Sequence, residues 1–463
     1  MKIKYSISVI VLSVLLGGCS LIPKYTRPET KVPAALPAGP AGSQDALSAQ
    51  DLKWQEVFPD GKLQKIIGIA LENNMDLRIA ILNVERARAL YGIQQARLYP
   101  ALTGSASGST QHVPADLSSS GREMSYDQYS INLGIVSWEV DLFGRIRSLK
   151  EQALEEYLGS EQARRAAQVA VIGEVARAYY VLAADLENLK LAQATLETQR
   201  SVYGVIYQRF DKGLATEPDL RRSQTQVDTA VRDIARYTEF VMQDKNALNL
   251  IAGFTVSEDL LPSDLECVKP PKEISPGLSS GVLLRRPDIM EAEHRLKASY
   301  ANIGAARASF FPQISLTTLA GSASSDLSGL FKSGAGAWSF APQAAMPLFD
   351  MRVQAAYRVS EADRDIAVAQ YQKTIQTAFR EVADTLAARS TIDQQVSSQE
   401  SIVESEQIIY DLSNKRYVQG IDDYLSVLDA QRSLYTAQKA LTELRYSKLV
   451  SQVRLYTVLG GDL

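Results

Sequence analysis

The sequence predicts a mainly α-helical chain with a smaller β part, built as an internal duplication. Two stretches, LYPALTGSASGS from Leu98 and FFPQISLTTLAGSAS from Phe310, each change at a proline from helical spacing to small and β-type residues. Those prolines, Pro100 and Pro312, lie 212 residues apart (312 − 100). No proline occurs between residues 145 and 210 or after residue 347, which favours very long helices.

Length and composition indicate a folded chain that does not bind nucleic acid. The 463 residues are 46% hydrophobic and 22% charged, which is enough apolar content to form a core. The 49 basic and 53 acidic residues give a net charge of −4. A nucleic-acid-binding protein usually carries a basic stripe, and Lys and Arg form only short pairs here. Nucleic acid is therefore not expected as a partner.

The N-terminus is typical of an exported lipoprotein. Lys2 and Lys4 precede an apolar run over residues 7–16, which ends in the sequence LGGC. This pattern predicts a signal peptide over residues 1–18, because the run is too short to span a membrane. The small residues before Cys19 resemble a bacterial lipobox, in which Cys19 is lipidated and palmitate becomes part of the anchor. Ser20 after the cysteine resembles the signal for the outer membrane.

Residues 19–53 are predicted to form an extended, lipid-anchored tether, since they contain five prolines among Ala, Gly and Ser. Helical spacing begins near Leu63 and continues toward Tyr99. With Cys19 lipidated, Cys267 has no partner for a disulfide, and we expect it to be a partly buried small side chain.

The duplication extends over most of the chain. At the offset of 212, Asp76 and Gly92 match Asp288 and Gly304. Later pairs keep an offset of 207, such as the EVA triplets at 174–176 and 381–383, Gly213 with Gly420, and Gly253 with Gly460. Two repeats, 54–260 and 278–463, are therefore predicted on either side of a proline-rich linker over residues 261–277.

Each repeat is predicted to follow the order helix, strand, loop, strand, very long helix, turn, helix. The strands begin after Pro100 and Pro312, and the second strand of the first repeat alternates apolar and polar residues over 129–135. Its counterpart runs through Trp338 and Phe340. Gly213 and Gly420 mark helix reversals. A helix over 145–210 would be about 100 Å long at ~1.5 Å per residue.

Four strands per chain cannot close a barrel. Only helices and closed barrels satisfy their backbone groups in lipid, and after the N-terminal run no segment reaches about 18 consecutive apolar residues. A small closed barrel needs about eight strands. If the chain spans a membrane, it must therefore share its sheet with copies of itself, and two, three or four subunits satisfy the count.

Several motifs resemble the TolC-like outer-membrane efflux factors, in the lipoprotein branch that serves resistance–nodulation–division (RND) pumps. They are the segment WQEVFPDGKLQKIIGIALENNMDLRIA, the two helix-to-proline junctions, and the sequences SWEVDLFGRIR, RRPDI and YLSVLDAQRSLYTAQ. The resemblance implies a homotrimer with a 12-stranded β-barrel in the outer membrane and a 12-helix periplasmic tunnel. It also implies a passive exit duct that works with a periplasmic adaptor and an inner-membrane pump. Leu284 departs from the family, which often has an acidic residue there.

The resemblance also assigns a periplasmic gate. Leu425 and Asp429 share a helix face after the Gly420 turn. In the family, such residues form apolar and acidic rings that close the tunnel, and Tyr417 resembles a tyrosine that restrains neighbouring helices. Asp422 and Asp423 are expected to cap the following helix.

No catalytic, cofactor or metal site is predicted. His112, in a predicted loop, and His294, on a helix, lack partners at metal-ligand spacing. No phosphate-binding loop or nucleophile elbow is present.

Two other functions compete with the exit duct. A periplasmic coiled-coil adaptor or scaffold lipoprotein would explain the helices and the lipid, but not two hairpins of alternating residues. A lipid-anchored hydrolase would need a reactive nucleophile.

Overall fold

We describe a computed structural model of the chain, covering residues 20–29, 32–36, 47–48, 53–275 and 280–461. Cys19 and the predicted signal peptide lie outside the described residues. The chain divides into two compact units. The first contains the four long strands and is formed by residues up to Glu29, Asn83–Glu161 and Glu291–Tyr371. The second is all but free of strands and is formed by Thr30–Leu82, Gln162–Met290 and residues from Gln372 onward.

The helices and strands repeat in the same order, and the long helices have nearly equal lengths, which confirms the duplication. The first set comprises α1 Trp54–Val57, α2 Gly61–Asn73, α3 Met75–Ala96, β1 Leu102–Val113, β2 Met124–Val140, α4 Arg145–Asp211 and α5 Glu217–Ala252. The second comprises α6 Pro287–Ala308, β3 Gln313–Ser324, β4 Gly336–Ala345, α7 Met351–Val418 and α8 Tyr424–Val458. Helices α3 and α6 both have 22 residues, and α4 and α7 have 67 and 68.

The predicted continuous helix from Leu63 toward Tyr99 is wrong, because the chain breaks it at Asn74. This residue is extended, with φ −62° and ψ 128°. Its side-chain Oδ1 accepts a hydrogen bond from the Leu77 backbone N–H at 2.9 Å, and its Nδ2 donates to the Ile251 carbonyl at 2.8 Å. An asparagine that caps a helix start competes with the helical backbone, so the apolar spacing alone did not reveal the break.

In the first unit, the strands form one antiparallel sheet in the order β1-β2-β3-β4. Opposite residues share a face, and Ile135 lies opposite Leu102 on one side and Thr318 on the other. Ser107 and Ser130 pair through their hydroxyls at 2.9 Å on the alternate face. The sheet therefore has one largely apolar and one largely polar face. Among the described helices, none is long and apolar enough to cross a membrane.

Residues 20–29, the start of the predicted tether, lie extended along α6 within the first unit. Arg27 forms an ion pair with Glu293 at 2.7 Å, and the Tyr25 hydroxyl donates to the same carboxylate at 3.1 Å. The Tyr25 ring also packs edge-on against Tyr300, with 5.6 Å between centroids. This stretch is extended, but side-chain contacts hold it against α6, so it is packed on the first unit rather than free.

In the second unit, the RRPDI motif supplies a buried arginine. Arg286 bonds Asp288 at 2.7 Å and Glu381 at 2.9 Å, and it donates to the Val458 carbonyl at 2.7 Å. A buried guanidinium needs such partners, and these three satisfy it without an acidic residue at position 284.

Two smaller expectations were wrong. His112 lies in β1 rather than in a loop, and its Nδ1 is 3.0 Å from the Ser125 hydroxyl. Cys267 is exposed rather than partly buried. Its backbone N–H donates to Asp264 Oδ1 at 2.8 Å, so the residue serves a local turn.

Candidate functional site

The α4–α5 and α7–α8 reversals share one backbone motif, as Gly213 and Gly420 predict. Each glycine lies in the left-handed region, with φ 73° at Gly213 and 74° at Gly420. In the first turn, the Leu214 N–H donates to the Arg209 carbonyl, and in the second, the Ile421 N–H donates to the Arg416 carbonyl. These are the bonds of a glycine-terminated helix end, which satisfy carbonyls that the helix leaves free.

The two aspartates after Gly420 have different roles, so the capping expectation holds for one of them. Asp423 caps α8, since its Oδ1 accepts from the Ser426 backbone N–H at 3.1 Å. Asp422 instead binds the Arg416 guanidinium through two bonds of 2.6 and 2.9 Å. This guanidinium holds the pKa of the Asp422 carboxyl below its usual range. The ion pair bridges the end of α7 and the start of α8.

A buried cluster lies behind the second turn. Its core is formed by Ile206, Tyr424, Val427 and Leu428, each at most 5% exposed. Burial raises the pKa of Tyr424, whose hydroxyl makes no hydrogen bond with the described residues. Because Ile206 belongs to α4 and the others to α8, the cluster joins the two helical hairpins.

Tyr417 lies between charged and aromatic neighbours. The Arg209 guanidinium sits over its ring, 5.0 Å from the centroid, and the Tyr424 ring is 5.5 Å away. Such a cation–π contact is worth roughly 0.5–1 kcal/mol at an exposed site. Within one chain, Tyr417 thus connects the end of α7 to both α4 and α8, and its role between subunits stays a prediction.

Leu425 and Asp429 lie on the exposed face of α8, opposite the buried cluster. Leu425 is 42% exposed, and Asp429 is also exposed. Asp429 makes no ion pair among the described residues. It lines an open groove of about 650 Å³ together with Glu406 and Arg432. An exposed leucine one turn from an unpaired carboxylate is a surface available to another copy of the chain or to a solute.

The two proline junctions are built alike. Helices α3 and α6 end at Ala96 and Ala308, and a short turn leads to Pro100 and Pro312 before each strand. The Tyr99 N–H donates to the Ala96 carbonyl at 3.0 Å, and the equivalent Phe311 N–H to the Ala308 carbonyl at 3.1 Å. Both junctions therefore convert helix to strand by the same hydrogen bonds, as the sequence predicts.

One ionisable pair was missed by sequence reasoning. The half-buried carboxyls of Asp185 on α4 and Asp244 on α5 lie together, and burial followed by the charge of Asp185 raises the pKa of Asp244 to about 7. Asp244 Oδ2 is buried and receives no hydrogen bond from any donor group of the described residues. The two carboxyls therefore hydrogen-bond only when one holds a proton. Their spacing of 59 residues (244 − 185) gives no sequence signal.

Metal chemistry has no geometric support at these positions. Among the described residues, no three His, Cys, Asp or Glu side chains are placed to hold a metal ion. His294, the helical histidine, contacts Glu155 at 2.6 Å instead.

The family model described as "outer membrane efflux protein" matches residues 66–254 and 278–461. The chain belongs to the outer membrane efflux protein family. Two segments of one family model in a single chain agree with the repeated helices and strands.

Curated relatives and a solved structure extend along nearly the whole chain. The chain is 47% identical to a toluene efflux pump outer membrane protein, TtgC, of Pseudomonas putida, over 99% of this chain and 96% of that protein. It has the same identity and coverage with the antibiotic efflux pump outer membrane protein ArpC of Pseudomonas putida. The open state of the Neisseria gonorrhoeae MtrE outer membrane channel matches with a TM-score of 0.86 and 37% identity, over 96% of this chain and 98% of that one.

Proposed function

We propose that this efflux protein is the outer-membrane exit duct of a tripartite efflux system, a passive homotrimeric channel. The observation that carries the proposal is the match of the repeated helices and strands to the MtrE channel over 96% of the chain. Three copies would supply twelve strands to one barrel and twelve long helices to one tunnel. Closure with neighbouring copies would pair the free edges of β1 and β4.

A periplasmic adaptor and an inner-membrane RND pump are the proposed partners, and the duct itself would not select substrates. Relatives of equal identity are described as toluene and antibiotic efflux proteins, which supports a passive role for this component. The coiled-coil adaptor alternative is not favoured, because these relatives are described as outer membrane components. The proposal includes cleavage before Cys19 and lipid on its sulfur. It also includes the predicted limits of the tether, residues 19–53, and of the linker, residues 261–277.

Leu425 and Asp429 are the proposed gate. In a trimer they would form two rings about one helical turn, ~5.4 Å, apart at the tunnel end. Three carboxylates close together repel one another and attract cations. Their exposure and the absence of an ion pair at Asp429 within the described chain support this role.

Single-channel recording in planar bilayers tests the gate. We expect Leu425→Ala with Asp429→Ala to raise closed-state conductance, and Asp429→Ala alone to weaken cation preference. The matched control is Pro218→Ala with Arg222→Ala, which changes the equivalent positions of the first repeat at the offset of 207 (425 − 218). If the double variant conducts like the parent, with the same ion preference, Leu425 and Asp429 are ordinary wall residues.

The assembly has its own test. Native mass spectrometry in detergent should record a trimer whose mature chain begins at a lipidated Cys19. A stable folded monomer or dimer would contradict the trimer, and an unmodified Cys19 would contradict the lipoprotein assignment.

A further inference from the structure

The first proline junction contains a cavity that the duct function does not use. It has a volume of about 470 Å³ and lies between the end of α3, the start of β1, the end of β2 and the start of α4. Its polar and aromatic lining consists of Arg97, Tyr99, Ser137, Trp138, Glu139 and Arg145. All of these residues belong to the first unit.

A β-bulge brings Trp138 to this cavity. The register changes between Ile135, which lies opposite Thr318, and Trp138, which lies opposite Leu316. The extra residue keeps Trp138 on the same apolar face as Ile135, and Ser137 takes up the distortion with φ 51°. The Trp138 Nε1 is buried and makes no hydrogen bond with the part of the chain that the structure describes.

The cavity offers a cation that no neighbouring side chain neutralises. Arg145 is held by Glu139, with its Nε 2.8 Å from Oε1 and a second bond to Oε2. Arg97 is exposed and forms no ion pair or hydrogen bond among the described residues. Tyr99, two residues later, is 67% exposed and also lacks a partner for its hydroxyl within the described chain. A guanidinium and a phenol hydroxyl are therefore both available to an anionic ligand.

The second repeat shows that the fold does not require these groups. At the offset of 212, Ser309 stands in place of Arg97, and Phe311 in place of Tyr99. The junction forms with the same backbone bonds there, so Arg97 and Tyr99 serve something other than the helix-to-strand change.

We propose that this cavity binds the phosphate of a membrane glycerophospholipid. The Arg97 guanidinium would form charge-assisted hydrogen bonds with the phosphate oxygens, and Tyr99 would donate one more. The Trp138 ring, at the end of the apolar sheet face, would contact the glycerol and the first acyl carbons. Arginine and aromatic side chains at a boundary between lipid and water are placed for this contact. The inference rests on the proposed function only in placing the strands in a membrane.

Lipid retention by the purified protein tests the proposal. Phosphatidylglycerol is added in detergent, and native mass spectrometry counts the lipids retained per protein assembly. We expect up to one tightly held lipid per chain, and at least about tenfold weaker retention in Arg97→Ser, since the charge-assisted hydrogen bonds of the guanidinium to the phosphate are lost. Tyr99→Phe should have a smaller effect in the same direction. Both variants introduce the residue that the second repeat already tolerates.

Matched controls separate the phosphate from other causes. Arg86→Ser removes an exposed arginine from α3 outside the cavity and should retain lipid like the parent. Diacylglycerol with the same acyl chains, which lacks phosphate, should not be retained. Equal retention of diacylglycerol, or equal lipid binding by Arg97→Ser and the parent, overturns the proposal. Displacement of the lipid by millimolar inorganic phosphate would assign the site to free phosphate and also overturns it.

Bilayer conductance of the same samples distinguishes a failure of the lipid site from a failure of the proposed function. A conducting channel that fails to retain lipid contradicts the lipid site alone. A parent protein that forms no conducting channel would contradict the proposed exit duct.

Discussion

The Gly213 and Gly420 turns have the same backbone and different side chains. Arg209 and Arg416 occupy matched positions before the two glycines, yet Arg416 binds Asp422 of its own turn, whereas Arg209 lies over Tyr417 of the other hairpin. Both turns also have a local cap, the capping box between Thr216 and Asp219 in the first and Asp423 in the second. The two turns therefore differ in their arginines, one of which stays within its turn while the other reaches the neighbouring hairpin.

This difference indicates that the duplication preserved the turn and specialised its surface. At the offset of 207, Pro218 and Arg222 of the first repeat stand where the second has Leu425 and Asp429. The glycine and its hydrogen bonds determine the shape of both turns. The residues proposed for the gate exist in only one of them, so the two turns can be tested as matched partners.

The largest expected effect is that of Tyr424→Ala in the second turn. Removing this buried aromatic ring from the cluster should cost about 3 kcal/mol. Amide hydrogen exchange at the start of α8 should then accelerate by roughly 100-fold, at about 1.4 kcal/mol per tenfold. Glu217→Ala, at the matched exposed position of the first turn, should change stability by less than about 0.5 kcal/mol. Equal effects of the two variants would contradict the role of the cluster.

The next effect distinguishes the interiors of the two hairpins. Asp185 and Asp244 of the first hairpin correspond to Ile392 and Ser451 of the second at the offset of 207. Because the folded-state pKa of Asp244 is raised to about 7, its stability contribution is complete below about pH 4 and falls as pH rises toward 7. The Arg236 guanidinium faces the pair. Burial, and then the charges of both carboxylates, raise the pKa of Tyr446.

Asp244→Asn should therefore remove part of the loss of stability between about pH 5 and pH 8. We expect a change of about 1–2 kcal/mol after allowance for solvent screening. Thermal unfolding followed by circular dichroism at both pH values measures it. Asp228→Asn, an aspartate on the same helix that lies away from the pair, is the control. An unchanged pH dependence in Asp244→Asn would show that the two carboxyls do not share a proton.

Gly213→Ala and Gly420→Ala test the equality of the two backbones. Each should cost about 1–2 kcal/mol, because an L-residue is strained at a φ near 74°. A Cβ at either glycine would meet nothing within 4 Å, so strain is the only penalty. Gly204→Ala, in the helical part of α4 with equally open space, should instead stabilise the chain by roughly 0.5–1 kcal/mol. Amide hydrogen exchange at the two turns measures the loss of stability in each variant. Unequal losses of stability in Gly213→Ala and Gly420→Ala would contradict a shared backbone.

The smallest effect is expected from Arg416→Gln, because the ion pair with Asp422 is exposed. The depressed pKa of Asp422 means that the pair persists at neutral pH and is lost as pH falls through the carboxyl titration range. The variant should raise the pKa of Asp422 toward its usual value, which NMR titration of the carboxyl carbon measures. An unchanged pKa would show that Arg416 does not bind Asp422 in solution.

Local signals in the sequence were enough for most of the helices, strands and turns. Pro100 and Pro312 located the strand starts, because proline restricts the backbone, and Gly213 and Gly420 located the turns, because glycine tolerates the left-handed conformation found there. The break at Asn74 escaped, since the side chain that caps the next helix is also held by the Ile251 carbonyl, 177 residues away. The Arg209–Tyr417 contact and the Asp185–Asp244 pair escaped for the same reason, as they form between helices that only the fold brings together.

The docking of residues 20–29 on α6 determines how far a lipid on Cys19 could move. A tether that was free from residue 19 to residue 53 would let the lipid move far from the folded chain. Ile22, Tyr25 and Arg27 instead contact α6, and Ile22 is the fourth residue of the proposed mature chain. Consecutive Cα atoms are about 3.8 Å apart, so Cys19 would lie within roughly 12 Å of Ile22. A lipid on that cysteine would therefore enter the bilayer directly beside the first unit, as a short fixed anchor that limits how that unit can tilt or sink in the membrane.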